Sequence, residues 1–300
     1  SYGTHDWIAE RAIDYLPSEE KTLILTYRAA YLYGTEVPDT VFQDAGCCHH
    51  VYFFANGTVQ DDIAAVRAGW MQGNASAALR QGDYVRAANF TGAMTHYIAD
   101  LASFGHVMGA ETAWGAESQS RHGSYEDHVQ RLTDAPAESV IPISFDGVLS
   151  SPSAYETALA LARDTTFDLS GGGRNATWMN QHYNWTDPMF TARAYESINL
   201  AVNYVAEAVH AVWSSVTVTT TTTTQQETTV TTTQEQTTTQ TQQTSLLTTA
   251  TSVRTTVAAQ GVGVGFAFVM IGIGAGVALG LAAFGIAARP PTVTFGPMNY

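Results

Sequence analysis

The sequence predicts an all-α globular head, followed by a low-complexity stalk and one apolar membrane segment. Between Thr4 and Val216, apolar residues recur every three or four positions, which is the period of amphipathic helices. In the tail, 22 of the 40 residues from 217 to 256 are Thr, and no charged residue occurs from 261 to 288. We therefore divide the chain into a head (1–216), a Thr/Gln-rich stalk (217–256), a transmembrane helix (257–289) and a short cytoplasmic tail (290–300).

Helix start and stop signals in the head agree with this period. Pro17 ends the first helical segment, and Ser18 with the two glutamates after it begins the next. Asp83 opens a long segment that runs through Ser103, and Asp187-Pro188 supplies the cap and first position of a last helix that reaches about Trp213. Residues 138–151, ESVIPISFDGVLSS, look extended or looped, so we predict roughly six to eight helices in the head.

The stalk and the apolar run predict a tethered head. The Thr/Gln tract is too polar to fold by itself, and fully extended it spans on the order of 130 Å; the alternative is that its Thr and Val residues pair as strands between neighbouring chains. The 28 apolar residues that follow exceed the roughly 20 that cross a bilayer, and only 12 residues remain after them to cover a buried helix. Glycines at four-residue spacing make homo-oligomerisation through this helix plausible: Gly272, Gly276 and Gly280.

Three features predict that the head lies outside the cell. Arg289 directly follows the apolar run, which favours a cytoplasmic C-terminus. The chain begins with Ser1 and has no basic-then-apolar leader, as if a signal peptide had been removed. Five glycosylation sequons lie in the head, at Asn56, Asn74, Asn89, Asn175 and Asn184. We expect a single-pass, cell-surface glycoprotein, in which Cys47 and Cys48 form a vicinal disulfide, bridge to another chain or remain buried thiols.

The charge of the head narrows the range of partners. The residues after Val216 contain two acids and two bases, so the head carries the whole formal charge of −14. A surface this acidic repels polyanions unless bound metal ions change the local field. The charge of the head therefore argues against nucleic acid as a partner.

The histidines of the head predict a metal site. All nine histidines lie there, and two of them precede a carboxylate by four residues, namely His96 with Asp100 and His122 with Glu126. Residues four apart share one face of a helix, so each pair can bind one ion together. Four more histidine and aspartate positions in the first half of the head supply further donors: His5, Asp39, His49 and His50.

The order of these motifs resembles a known family. "GTH" is followed by "PD", then "HHVYF", then "GAMTHYIADLASFGH" and finally "HGSYE". This order is similar to that of the bacterial zinc-dependent phospholipases C and, more distantly, to that of the single-strand-specific zinc nucleases that share their fold. The resemblance covers about residues 3 to 130 and implies an all-α head with up to three zinc ions at the bottom of a cleft.

The resemblance also implies a set of zinc ligands. Its first ion is held by Asp39, His50, His96 and Asp100, with His49 as the alternative to His50 by a shift of one position. Asp100 bridges to a second ion, which also takes His5 and the terminal amine and carbonyl of Ser1. His106, His122 and Glu126 hold the third. Clustered zinc ions offset phosphate charge and acidify a bound water, which Asp39 is expected to orient or deprotonate as the catalytic residue.

These features predict a membrane-anchored, extracellular zinc-dependent phosphodiesterase, most simply a phospholipase C that acts on phospholipid head groups. Two other readings remain open. In the first, the head is a catalytically inactive module of a surface-layer or adhesion protein, and bound metal stabilises its fold. In the second, it is a single-strand nuclease, which needs an aromatic pocket for stacking bases.

Overall fold

The computed structural model describes residues 2–134 and 140–216 with their side chains, and the backbone of residues 217–219 and 256–259. Ten α-helices occur in this part of the chain, and they confirm the predicted all-α head. They are α1 (Thr4–Ile13), α2 (Ser18–Thr26), α3 (Arg28–Val37), α4 (Ala45–Cys48), α5 (Ile63–Arg80), α6 (Tyr84–Asp100), α7 (Gln119–Thr133), α8 (Ala154–Phe167), α9 (Ala176–Gln181) and α10 (Pro188–Trp213).

The helix count exceeds the predicted six to eight, and two of the ten helices are very short. α4 has 4 residues and α9 has 6, too few to display an apolar period. Tyr27 lies outside regular helix and separates α2 from α3. The long helices follow their sequence signals: Asp83 caps α6 by accepting a hydrogen bond from the backbone N–H of Arg86 at 3.0 Å, and Asp187 caps α10.

Helix α6 lies at the centre of the head and packs against α3, α5 and α10. Its last ten residues are all buried, so it presents side chains to the interior on every face. The approach to α3 is close because glycines face each other there. A Cβ atom built on Gly34 would lie 2.1 Å from the carbonyl oxygen of Asn89, and one built on Gly92 would lie 2.0 Å from that of Tyr31. Only glycine fits at these two positions.

Two short connections place functional residues. A single turn of π-helix at Pro38–Phe42 follows α3, and a single 3-10 turn at Phe104–Val107 follows α6. Between α4 and α5 the chain forms a small antiparallel hairpin of β1 (Tyr52–Phe53) and β2 (Val59–Asp61). Cys47 and Cys48 are joined in a vicinal disulfide at the end of α4, which is the first of the three alternatives for these cysteines.

Little of the predicted tail falls within the described residues. Strand β3 (Val216–Thr219) pairs antiparallel with β4 (Thr256–Ala259) of the same chain. Residues 257–259 therefore belong to a strand, so the helix predicted over 257–289 does not begin where the sequence suggested; backbone pairing with residues 216–218 accounts for the difference. The rest of the predicted span and most of the stalk lie outside the described residues. Among the residues that are described, no helix is both long and apolar enough to cross a bilayer.

Candidate metal centre

Three groups of potential metal donors lie in one cleft with a volume of about 540 Å³. The cleft is bounded by the start of α1, the π-helical turn, α4, the last turn of α6, the 3-10 turn, α7 and one residue of α10. α6 contributes to two of the groups, because His96 and Asp100 are one turn apart on the face that it turns toward the cleft. Both side chains are buried.

The first group contains His5, His96 and Asp100. The Nε2 atom of His5 lies 3.3 Å from Asp100 Oδ1, and the Nε2 atom of His96 lies 3.3 Å from Asp100 Oδ2. The two imidazole rings stack with their centroids 3.9 Å apart. Ser1, whose amine and carbonyl are implied for this ion by the family resemblance, lies outside the described residues.

The second group contains Asp39, His49 and His96. The Nδ1 atom of His49 lies 3.3 Å from His96 Nε2, and Asp39 Oδ1 lies 3.7 Å from each of these nitrogens. The structure places His49 in this group, whereas the family resemblance favoured His50 and gave His49 as the alternative by a shift of one position. α4 ends at Cys48, and the chain there turns His49 inward, whereas the ring of His50 stacks on Tyr52 beside the hairpin.

The third group contains His106, His122 and Glu126. Glu126 Oε1 lies 3.1 Å from His106 Nε2 and 2.8 Å from His122 Nε2. His122 and Glu126 share one face of α7, as their spacing predicts, and the 3-10 turn brings His106 to them. Gly105 makes this approach possible, since a Cβ atom at that position would lie 2.4 Å from the His122 ring.

Asp100 connects the three groups. Its carboxylate oxygens lie 2.8 Å from His49 Nδ1 and 3.9 Å from His106 Nε2, in addition to the contacts with His5 and His96. Burial by itself raises the pKa of this carboxyl, but the nearby imidazoles of His96 and His106 and the hydrogen bond with His49 hold the pKa of Asp100 well below its usual range. Asp100 is therefore an ionised, buried carboxylate within reach of four imidazoles.

The histidines of the cleft have different pKa values. Burial lowers the pKa of His49, but its hydrogen bonds to Asp100 and Asp44 more than offset burial and raise the pKa to about 10. His122 behaves in the same way, and its carboxylate neighbours Glu117 and Glu126 raise its pKa to about 10. Burial and the nearby charge of His96 lower the pKa of His5 to about 3. His5 is thus a neutral donor at neutral pH, whereas His49 and His122 must each lose a proton before they bind a metal.

The residues present fit zinc. Imidazole nitrogen and carboxylate oxygen are preferred zinc donors, and ligands at the usual 2.0–2.1 Å around a tetrahedral ion lie about 3.3 Å from each other. Within each group the donor atoms lie within 4.8 Å of one another, and the histidine–carboxylate contacts among them measure 2.8 to 3.7 Å. In addition, the outward ring nitrogen of His96 lies 2.6 Å from the carbonyl of Thr35, and that of His122 lies 2.7 Å from Glu117. Oxygen acceptors on the far nitrogen are typical of zinc-binding histidines.

A comparison with protein-family models identifies the family. The model described as zinc dependent phospholipase C matches residues 4–159, which is more than half of the 300 residues. The chain belongs to the zinc-dependent phospholipase C family. All the donors described above fall within the matched residues. No curated protein matches this chain.

Solved structures similar to this family member include two clostridial toxins. One is the alpha toxin of Clostridium absonum, with 17% identity, coverage of 71% of this chain and 63% of the toxin chain, and a TM-score of 0.48. The other is the alpha-toxin of Clostridium perfringens from avian strain SWCP, with 14% identity, coverage of 71% and 64%, and a TM-score of 0.43. This chain therefore spans less than two thirds of the length of either toxin chain.

The pKa values of His49 and His122 are raised, so the stability of the metal-free chain and its affinity for zinc should change with pH in opposite directions. In the metal-free chain, each histidine contributes stability that is fully present below the ordinary histidine pKa of 6.5 and is lost as the pH rises toward about 10. Zinc must displace the same protons, so its affinity increases over that range. We expect the zinc-dependent rise in Tm to grow between about pH 6 and about pH 9, measured by thermal unfolding with zinc and with a chelator. A rise that is the same at both pH values would contradict this assignment of protons.

Proposed function

We propose that this chain is a membrane-anchored, extracellular zinc-dependent phosphodiesterase that hydrolyses phospholipid head groups in the manner of a phospholipase C. The observation that carries the proposal is the convergence of three donor groups around Asp100 in a cleft open to solvent. The side chains of Asp39 and Glu126 at the edges of that cleft are 50% and 49% exposed, so a substrate has access to the donors. Membership of the zinc-dependent family supports the same chemistry.

Each donor group is proposed to hold one ion, up to three in all. His96 belongs to two of the groups, but its Nδ1 contacts the Thr35 carbonyl, so only Nε2 would be left to hold an ion; the two oxygens of Asp100 would be available to the remaining group. When bound, zinc would supply positive charge for the phosphate and would lower the pKa of a water molecule. Asp39 accepts the proton of that water at a carboxylate oxygen, for which its exposed position beside His49 and His96 is suited.

The lining of the cleft favours a lipid head group over a nucleic acid. Among the described residues that line it there is no Lys or Arg to contact a polyanionic backbone. Tyr125 is the one Phe, Tyr or Trp side chain in that lining, and it is buried at the base, where it stacks on Trp185. A single-strand nuclease needs aromatic surfaces for bases, so the nuclease reading is disfavoured. The open cleft likewise argues against a purely structural metal module, whose sites are closed.

The cell-surface location is proposed from the sequence, and two sequons add support. Asn56 and Asn184 are exposed, and each lies in a turn in which its side-chain oxygen accepts hydrogen bonds from the Thr two residues later. Turns of this kind at the surface leave the amide nitrogen accessible for glycosylation. Anchoring by the apolar run, and self-association through its glycines, remain part of the proposal.

The function is tested by metal content and hydrolysis in the full chain, purified in detergent. We expect up to three zinc ions per chain by elemental analysis, hydrolysis of phosphatidylcholine vesicles that stops on chelation, and recovery when zinc is returned. The control is His182→Gln, which changes an exposed histidine outside the three groups and should leave both results unchanged. Bound zinc without hydrolysis of vesicles or single-stranded DNA would favour the structural alternative, and hydrolysis of DNA alone would favour the nuclease.

A further inference from the structure

Asp44 is a buried carboxylate directly behind the second donor group. It lies just before α4 and is 8% exposed. One of its oxygens, Oδ1, lies 2.8 Å from the Nε2 atom of His49. Asp44 is absent from the described residues that line the cleft, so it does not meet a substrate there. The donor residue that its side chain contacts is His49.

The hydrogen bond fixes which nitrogen of His49 faces the cleft. An ionised carboxylate only accepts hydrogen bonds, so Nε2 must carry a proton and donate it to Asp44. The lone pair that remains for a metal is then on Nδ1, the atom that lies 3.3 Å from His96 Nε2 and 3.7 Å from Asp39 Oδ1. A rotation of the ring by 180° about its Cβ–Cγ bond would break this bond and withdraw Nδ1 from the group.

Asp44 is itself held in place from two other helices. Its second oxygen accepts a hydrogen bond of 2.8 Å from the hydroxyl of Tyr97, which follows His96 on α6, and lies 3.5 Å from Arg67 Nε on α5. The carboxylate therefore ties the end of α4, which carries His49, to the helix that carries His96. This arrangement sets the separation of two donors that belong to different elements.

We propose that Asp44 is a positioning residue that orients His49 for metal binding, an inference that rests on the proposed zinc-dependent function. Two features separate this role from that of an ordinary buried ion pair. The carboxylate contacts a donor histidine on the nitrogen opposite the cleft, and the groups that hold it, Tyr97 and Arg67, lie on α6 and α5. Removing a hydrogen-bond acceptor from the far nitrogen of a metal-binding histidine typically lowers metal affinity 10- to 100-fold.

The test is the zinc affinity of the full chain in detergent, measured by competition with a chromophoric chelator. We expect Asp44→Asn to weaken binding at one site by about 10- to 100-fold. The matched control is Asp168→Asn, which alters an equally buried carboxylate that pairs with Arg174 and Arg193 outside the donor groups, and it should leave every zinc affinity unchanged. Replacing zinc with cobalt adds a second readout, because displacement of His49 changes the visible absorption of the bound ion whereas a general loss of stability does not.

The outcomes separate the inference from the function on which it rests. Zinc binding by Asp44→Asn that equals that of the unmodified chain would overturn the positioning role. An unmodified chain that binds no zinc would overturn the proposed function itself. If Asp44→Asn fails to fold, Tyr97→Phe takes its place: it removes one hydrogen bond to the carboxylate but leaves the contact with His49, so a weakening of a few fold is expected, and unchanged affinity would count against the inference.

Discussion

Replacing Asp100 with asparagine should abolish phosphodiester hydrolysis and remove at least one zinc ion per chain. Asp100 lies within 4 Å of donor nitrogens on His5, His49, His96 and His106, so its two oxygens face more than one donor group. An amide offers one neutral oxygen, and its nitrogen does not ligate, so it cannot bridge two ions. We expect hydrolysis of phospholipid vesicles to fall by at least about 10³-fold, corresponding to roughly 4 kcal/mol of transition-state stabilisation.

The control for this substitution is Asp127→Asn. Asp127 is an exposed carboxylate that lines the same cleft next to Glu126, but it belongs to none of the three donor groups. Its replacement removes the same charge from the cleft and should change hydrolysis and zinc content little. Circular dichroism of both variants establishes that the head remains folded. An Asp100→Asn variant that retains its zinc and its activity would show that the three groups do not act through a shared carboxylate.

The parts of the site that the sequence predicted are those contained within one helix. His96 with Asp100, and His122 with Glu126, are four residues apart on α6 and α7, and the helical repeat alone brings each pair together. Helix α6 was itself predicted from the sequence, since Asp83 marks the start of a long helical segment. The donors that the family resemblance favoured from other segments, His5 and Asp39, also reach the cleft.

The parts that the sequence did not predict depend on short connections. Whether His49 or His50 faces the donors is decided by where α4 ends, and a helix of 4 residues has no period from which its end can be inferred. Asp44 and Glu117 lie behind donor histidines but five residues before them, outside regular helix, so their spacing carries no signal. The Thr35 carbonyl that anchors His96 belongs to a different helix altogether and is brought into place by packing.

That packing leads to the second large prediction. Gly92→Ala should destabilise the head by at least about 3 kcal/mol, because the new Cβ atom would lie 2.0 Å from the carbonyl oxygen of Tyr31 and 2.9 Å from the Cα atom of Gly34. The obstructing atoms belong to the backbone of α3 and cannot rotate away, so α3 and α6 must separate. The free energy of unfolding, measured by denaturant titration of the metal-free chain, reports the change without contribution from zinc.

A second glycine supplies a control with the opposite sign. Gly73 lies inside α5, and a Cβ atom there would meet nothing within 4 Å, so Gly73→Ala should stabilise the head by roughly 0.5–1 kcal/mol through helix propensity. Separation of α3 from α6 at Gly92 would also lengthen the 2.6 Å contact between His96 Nδ1 and the Thr35 carbonyl. If Gly92→Ala folds, its zinc affinity should therefore fall as well, because the Thr35 carbonyl on α3 orients the donor His96 on α6. Wild-type stability in Gly92→Ala would mean that the two helices are not in backbone contact and that His96 is oriented in some other way.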